Sequence, residues 1–338
     1  MISIPNSVTS IGDGAFAGTG VISVVIPNST TNLGERAFGG CVNLSSVTIG
    51  NRVSTIGDYA FSYCSSLSTI NIPNSVVGIG KHAFSNCTSL SSIIIPNSVT
   101  SVEDYTFYYC SNLTSIILGN GITKIGVHAF DGCSALASAN IPNSVSSIGA
   151  DAFFNCSSLA SLTIPNSVIT IQGSAFHGCS GITSLTLGEG IVRIEDYTFS
   201  SCSKLNNLTI GSNVTYIGSS AFSNCLDIAS ISCYADNPPN NNFAFRSVEA
   251  KCVLKVPNKS ISMYKSAAGW LNFYSIQGLD PESALEHVED NVSVEELLAD
   301  PTTKIYTLHG DEVSFIRDLP QGVYVLKNGN QTTKIYLK

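Results

Sequence analysis

Nine of the eleven cysteines in this chain stand 23 residues apart, at Cys41, Cys64, Cys87, Cys110, Cys133, Cys156, Cys179, Cys202 and Cys225. Thiols can hold zinc, close disulfides or attack as nucleophiles, and each of these needs its own spacing. A structural zinc site takes its ligands in close pairs, and no C-x-x-C occurs here. One thiol per interval would set neighbouring copies side by side with parallel side chains, a poor geometry for a disulfide. The series therefore reads as small buried packing groups that stay reduced. Cysteine number then says little about redox compartment.

Other reactive residues are as sparse. Glu103–Asp104 and Glu195–Asp196 are paired carboxylates on what reads as a surface turn, where solvation is expected. His82 and His128 share a position with Tyr59 and Tyr105 in the repeat described below. They lie two units apart, about 10 Å, too far to share a metal. No G-x-S-x-G, H-E-x-x-H or phosphate loop is present. Gly119-Asn120-Gly121 and Gly188-Glu189-Gly190 are turn glycines rather than a dinucleotide fingerprint. No catalytic constellation emerges, so the chain is read as non-enzymatic, with no cofactor and no metal.

The elements that carry these residues follow one period. Phe38 is followed by Phe61, Phe84, Phe107, Phe130, Phe153, Phe176, Phe199, Phe222 and Phe245 at intervals of 23, and Phe16 precedes Phe38 by 22. A fixed period of this size marks a solenoid, whose units bury their apolar sides only against neighbours. In one unit, Leu67 to Ile72 alternates apolar and polar residues as a half-buried strand does. Pro73-Asn74-Ser75 marks a turn. Val76 and Ile79 start a second short strand that Gly80 ends, and Ala83-Phe84 to Cys87 has the spacing of one helical turn. Roughly eleven such units would stack into a body on the order of 50 Å long. Asn follows the turn proline or glycine at Asn28, Asn51, Asn74, Asn97, Asn120, Asn143 and Asn166, and is expected to close its own turn. Cys233 occupies a core strand position. Leu254, Val256, Pro257 and Asn258 are the last residues in phase. Residues 259–278, with Met263, Tyr264, Trp270 and Phe273, are suited to cover the open end, giving a solenoid over 1–278 with its cap at about 259–278.

Charge excludes one class of partner. Residues 1–278 carry 11 Lys+Arg against 13 Asp+Glu, net −2, and residues 279–338 carry 5 against 11, net −6. Without a basic stripe, nucleic-acid binding is not expected. No apolar run is long enough to span a bilayer as a helix. The first residues are already repeat sequence, so the natural N-terminus and any export signal are expected upstream.

The unit L-x-x-I-x-I-P-N-S-V-x-x-I-G-x-x-A-F-x-x-C resembles the 23-residue leucine-rich repeat of BspA-like bacterial surface proteins, over about residues 2–258. Departures are mild: Thr106 and Thr198 replace Ala before the Phe, Gly or Tyr replaces Pro in several units, and Thr19 stands where Cys is expected. The closing segment, Lys255 to Pro257 with Tyr264, Trp270 and Phe273, is similar to the usual terminator of such arrays. The resemblance implies a leucine-rich-repeat-like solenoid of parallel strands with short second strands and helical turns. It also implies a secreted or surface-attached, adhesin-like protein that binds host or bacterial macromolecules. It brings no catalytic residues.

After Gly278 the composition changes. Residues 279–303 are acidic and read as a linker, and 304–338 read as a small β domain in which Asn328-Gly329 joins two strands as a hairpin. The run from Ile305 to Gly310, Gly322 to Val325 and the final Lys334 to Lys338 resembles small C-terminal β domains of exported proteins from the same bacterial group.

Two surfaces could carry binding. Between the strand isoleucines the outward residues read Val25, Thr48, Asn71, Ile94, Ile117, Asn140, Thr163, Thr186, Thr209, Ser232 and Lys255. Adjacent Ile94 and Ile117, bordered by Asn71 and Asn140, are unexpected in a polar row, although β-propensity alone would also place them there. On the helical-turn face, Tyr59, Tyr63, Tyr105, Tyr108 and Tyr109 cluster, with Phe154 and His177 further along. Tyrosine suits protein or sugar contacts, unless the rings are buried between turns. The expected partner is a protein or glycan bound by a monomer; the alternative is a carbohydrate-binding or envelope scaffolding module without a host protein partner.

Overall fold

Each alternating segment of the sequence is a short parallel strand in the computed structural model. Ser46–Thr48, Thr69–Ile70, Ser92–Ile94 and Ser115–Ile117 are successive examples. The structure describes residues 2–279 and, beyond them, 304–307, 312–313, 322–328 and 331–337, in two units, 1–279 and 280–338. In the first unit the strands stack in steps of one repeat, so Ser115, Ile116 and Ile117 lie beside Ser92, Ile93 and Ile94. The middle residue of each points into the core, where Ile93 and Ile116 are buried, and its two neighbours point to solvent. Seven strands run from Ile2–Ser3 to Ser138–Asn140 and six from Ser161–Thr163 to Ser275–Gly278, while the short second strands form smaller parallel sheets. The fold class is the solenoid the period predicts.

The core is a column of phenylalanines. From Phe16 to Phe245 the rings stack with centroids 4.9–5.6 Å apart and within 18° of parallel. Beside it the repeat cysteines are buried free thiols, and their Sγ–H groups donate to the phenylalanine carbonyl 25 or 26 residues back, as Cys133 does to Phe107 at 3.1 Å. Burial is the main cause that pushes the Cys64 and Cys179 thiols up to about 12 and keeps the column unreactive.

The segment read as a helical turn is a different structure. Around Phe61, the N–H groups of Ala60, Ser62 and Cys64 donate to the carbonyls three residues back. Those of Tyr59, Phe61 and Tyr63 donate instead to Lys81, Ala83 and Ser85 of the next unit, at 2.7–2.8 Å. This alternation requires left-handed residues at Tyr59 and Tyr63, both with φ 57°. Consecutive β-turns and one helical turn share the same i, i+3 spacing of inward residues, which is why the sequence pattern does not separate them.

The asparagines do not close their own turns. Asn28, Asn97 and Asn166 each accept through Oδ1 from the backbone N–H of the unit that follows, at Asn51, Asn120 and Glu189 (2.8–2.9 Å). At these three steps a Pro unit is followed by a Gly unit, and Gly50, Gly119 and Gly188 recur every 69 residues. A Cβ at Gly119 would lie 2.6 Å from the Pro96 carbonyl, so only glycine allows this approach. The same steps gain one more strand bond, in which Ile26, Ile95 and Ile164 donate to Thr48, Ile117 and Thr186 at 2.9 Å. At the Pro73-to-Pro96 and Pro142-to-Pro165 steps, Ile72 and Ile141 make no such backbone bond to Ile94 and Thr163. The second of these steps is where the seven-stranded sheet ends.

At the far end of this unit, Tyr264 and Trp270 are fully buried and Phe273 nearly so. Trp270 and Phe273 pack on Phe245, and Trp270 Nε1–H donates to the Pro239 carbonyl at 2.8 Å. Ser275–Gly278 then adds one more parallel strand beside Val253–Val256. In the second unit, Lys304–Thr307, Gly322–Asn328 and Gln331–Leu337 pair antiparallel, with Asn328 opposite Gln331 across the hairpin. Gly329 and the acidic segment 280–303 lie outside the described residues.

Candidate functional site

On the turn face, five side chains at successive copies of one left-handed position form a ladder. The Arg36 guanidinium lies 4.8 Å from the Tyr59 ring centre. Tyr59 stacks on His82 at 4.4 Å, His82 on Tyr105 at 4.5 Å, and Tyr105 on His128 at 4.7 Å. His128 closes the series with Nδ1 2.8 Å from Asp131 and Nε2 3.6 Å from Asp151. His82 and His128, too distant for a shared metal, are thus joined through Tyr105. Burial holds His82 below its ordinary value, which keeps the sandwiched imidazole neutral.

The other tyrosines divide. Tyr108 is half-buried, edge-on to Tyr105 at 5.5 Å and tilted against Tyr109 at 4.5 Å. Tyr109 leans over Gly132, where a Cβ would meet its Cδ2 at 3.0 Å. Tyr63 and Tyr109 are the exposed members, at 58% and 48%. Phe154 stacks on His177 at 4.9 Å. The faces of Tyr59 and Tyr105 are therefore already occupied by neighbouring rings and, for Tyr59, by the Arg36 guanidinium, which leaves edges and hydroxyls for any ligand.

The paired carboxylates are not simply solvated. Asp104 accepts from the Val127 N–H at 3.0 Å and pairs with Lys81 at 2.9 Å, and Asp196 accepts from the Ser219 N–H at 2.7 Å. Glu195 is paired with Arg193 at 2.8 Å, and Glu103 takes the Ser101 hydroxyl. Asp104 and Asp196 thus staple one unit to the next, while Glu103 and Glu195 are held by the residue two positions before them in the same unit. Among the described residues no group of three or more His, Cys, Asp or Glu is placed to hold a metal ion.

The strand face has a different character. Ile94 and Ile117 lie side by side in register, 58% and 59% exposed, and Asn71 and Asn140 are exposed in the same row. From Ser23 to Ser232, neither outward row of the main strands contains an ionisable residue. A hollow of about 310 Å³ opens at the Pro73 unit. Its floor is Val47, Ile70 and Ile93, and its rim is the hydroxyls of Ser46, Thr69 and Ser92 with Asn71 and Ile94. It lies where the strand Thr69–Ile70 stops one residue short of its neighbours, so the sheet opens at Asn71. Sequence reasoning found Asn71 and Ile94 but not the hollow. The alternation of Pro and Gly at the turn carries that signal.

A parallel-strand stack with this period, its core column of phenylalanines and its stapled turns define a leucine-rich-repeat solenoid. The chain matches the model of the BspA type leucine rich repeat region over residues 1–114, 36–159 and 123–251, and it belongs to that family. Among solved structures it is similar to a leucine-rich repeat protein from Bacteroides ovatus. That likeness is 24% identical, covers 82% of this chain and 92% of that one, and has a TM-score of 0.51, which shows the shared fold. A leucine rich cell surface protein from Faecalibacterium prausnitzii is 26% identical over 86% of this chain and 91% of that one, with a TM-score of 0.41. A leucine-rich repeat protein of T. pallidum is 26% identical over 54% of this chain and 77% of that one, at 0.44. No curated protein matches the chain. No helix among the described residues is long and apolar enough to cross a membrane.

Proposed function

We propose that this protein is a non-enzymatic, adhesin-like binding module, secreted or displayed at a bacterial surface, which recognises a protein partner through its strand face. The family supports a binding repeat protein at the surface. The observation that carries the choice of face is the pair Ile94 and Ile117, in register and more than half exposed on a row without charge from Val25 to Ser232. Side chains of that size gain by leaving water only when a partner covers them. On the turn face the corresponding aromatic area is already covered within the chain. Carbohydrate recognition there would rest on Tyr63 and Tyr109, the open rings of the tyrosine cluster.

The test is binding of the purified chain at physiological salt to parallel panels of extracellular-matrix proteins and glycans, beside an Ile94→Asp/Ile117→Asp double variant. Saturable binding to a protein, lost in a variant that still melts cooperatively, is expected. Glycan binding that the double variant retains, and that Tyr63→Ala/Tyr109→Ala removes, would move the site to the turn face. Turnover of any polymer would overturn the non-enzymatic reading.

A further inference from the structure

Two departures from the repeat share one motif. Glu103-Asp104-Tyr105-Thr106-Phe107 recurs four units later as Glu195-Asp196-Tyr197-Thr198-Phe199. In both, the glutamate stands where Gly34, Gly57, Gly80, Gly126, Gly149 and Gly218 stand in other units. Those glycines lie against the unit before them: a Cβ at Gly80 would come 2.5 Å from the Asp58 nitrogen, and one at Gly149 2.6 Å from the Gly126 carbonyl carbon. The close approach lets each of the six N–H groups donate to the second strand of the preceding unit at 2.7–2.8 Å, as Gly126 does to Val102. Gln172 keeps this bond to Ile148 at 3.0 Å, and its Oε1 turns back to accept from the Ala150 N–H at 2.9 Å. From Gly34 to Gly218, Glu103 and Glu195 are the members of the column that make no such bond. Thr100 and Val192, three residues earlier, make none to the preceding unit either, although their counterparts in the other units from Thr31 to Thr215 do at 2.8–2.9 Å.

The sheets of second strands end at these two places. One runs from Ser10–Ile11 to Gly78–Ile79, the next from Ser101–Val102 to Thr170–Ile171, and the last begins at Arg193–Ile194. The glutamate side chains do not bridge the gaps, because Ser101 and Arg193 hold them within their own units. The turn side crosses both gaps unbroken, with Phe84 donating to Thr106 and Phe176 to Thr198, each at 2.9 Å. The main strands differ between the two. Ser161–Thr163 keeps all three of its pairs with Ser184–Thr186 at the Glu195 gap, but at the Glu103 gap only Thr69 and Ser92 are paired. We infer that the solenoid is divided into three blocks, which part at these two junctions while each block stays folded. A stack held together by neighbour contacts separates where a neighbour contact is thinnest. The Glu103 junction opens before the Glu195 junction, since both of its sheets are thin. This holds whichever face of the solenoid binds a partner.

The repeat thiols report such openings unit by unit, because each Sγ–H donates to the unit before it. Cys110 reaches Phe84 and Cys202 reaches Phe176 across the two junctions, at 3.1 and 3.4 Å. Cys87 keeps its bond to Phe61 when the Glu103 junction parts. The experiment exposes the full chain to iodoacetamide in denaturant below the unfolding transition and follows each cysteine by peptide mass spectrometry. Cys110 is expected to react first and Cys202 next, each about tenfold or more ahead of Cys87, Cys133 and Cys156. Glu103→Gly, which restores the residue of the other units, should slow Cys110 to the rate of Cys133 and leave Cys202 unchanged. Glu195→Gly should do the reverse. Equal rates along the array, rates that only fall inward from its two ends, or a Cys110 indifferent to Glu103→Gly would overturn the inference. So would early reaction of Cys179, which bonds to Phe153 across the step where the main sheet is interrupted but the second strands stay paired. Main-strand pairing, and not the glutamate, would then decide where the stack opens.

Discussion

The turn face and the strand face of the same units use their large side chains in opposite ways. Arg36, Tyr59, His82, Tyr105 and His128 cover one another ring by ring, and the ladder ends on the carboxylates of Asp131 and Asp151. Ile94 and Ile117 touch each other across one strand spacing and otherwise face solvent. Aromatic residues at a surface therefore do not by themselves mark a binding site in a stacked repeat, because the stacking direction can supply a ring with a partner, as it does for Tyr59 and Tyr105. An aliphatic pair on a flat strand face gets no such cover. Stability should depend on the turn side, and binding on the strand side.

The core common to both faces should give the largest effect. Phe130→Ala removes a fully buried ring stacked on two others, and a loss of about 3–5 kcal/mol is expected in denaturant titration. Gly119→Val should cost roughly 1–3 kcal/mol, because its Cβ meets the Pro96 backbone and the Asn97 staple opens. Gly78→Val, where a Cβ meets nothing within 4 Å, is the matched control and should be nearly neutral. Tyr105→Ala should lose about 1–2 kcal/mol by breaking two ring stacks. Ile94→Asp/Ile117→Asp should stay within roughly 0.5 kcal/mol of the parent, as exposed substitutions do. Equal losses from these last two would erase the contrast between the faces.

Acid should sharpen the comparison more gently. His82 is held below the ordinary imidazole value mainly by burial, so the unfolded chain takes up its proton first as pH falls. The stability contributed by neutral His82 is complete above about pH 6.5 and is lost progressively below it. Melting temperatures between pH 7.5 and 5 should therefore fall more steeply for the parent than for His82→Phe. A thiol reagent, finally, should find the native chain silent and titrate all eleven cysteines only after denaturation, since all are buried and free.

Much of this was readable from spacing. A 23-residue recurrence of Phe and Cys fixes a stack because only identical neighbours can bury identical faces. The outward row from Val25 to Lys255 follows from strand alternation alone. What escaped was how units touch. Asn28 and Asp104 are residues that ordinarily satisfy their own turns, and nothing local distinguishes them from ones whose partner lies 23 residues on. The Tyr59–His128 column was visible as a list of residue types, but stacking depends on a left-handed backbone that tyrosine and histidine rarely adopt. The hollow at Asn71 escaped for a related reason: it depends on which unit follows which, and a single-unit consensus averages that order away.

The 69-residue return of Gly50, Gly119 and Gly188 bears on how such a chain can change length. Adding or deleting a single turn would keep the phenylalanine column but set proline against proline, or glycine against glycine, at a new place. Between Gly50 and Gly188, only an insertion or loss of three turns together keeps the order of junctions as it was. Genetic exchange that respects junctions would therefore lengthen this protein in triplets.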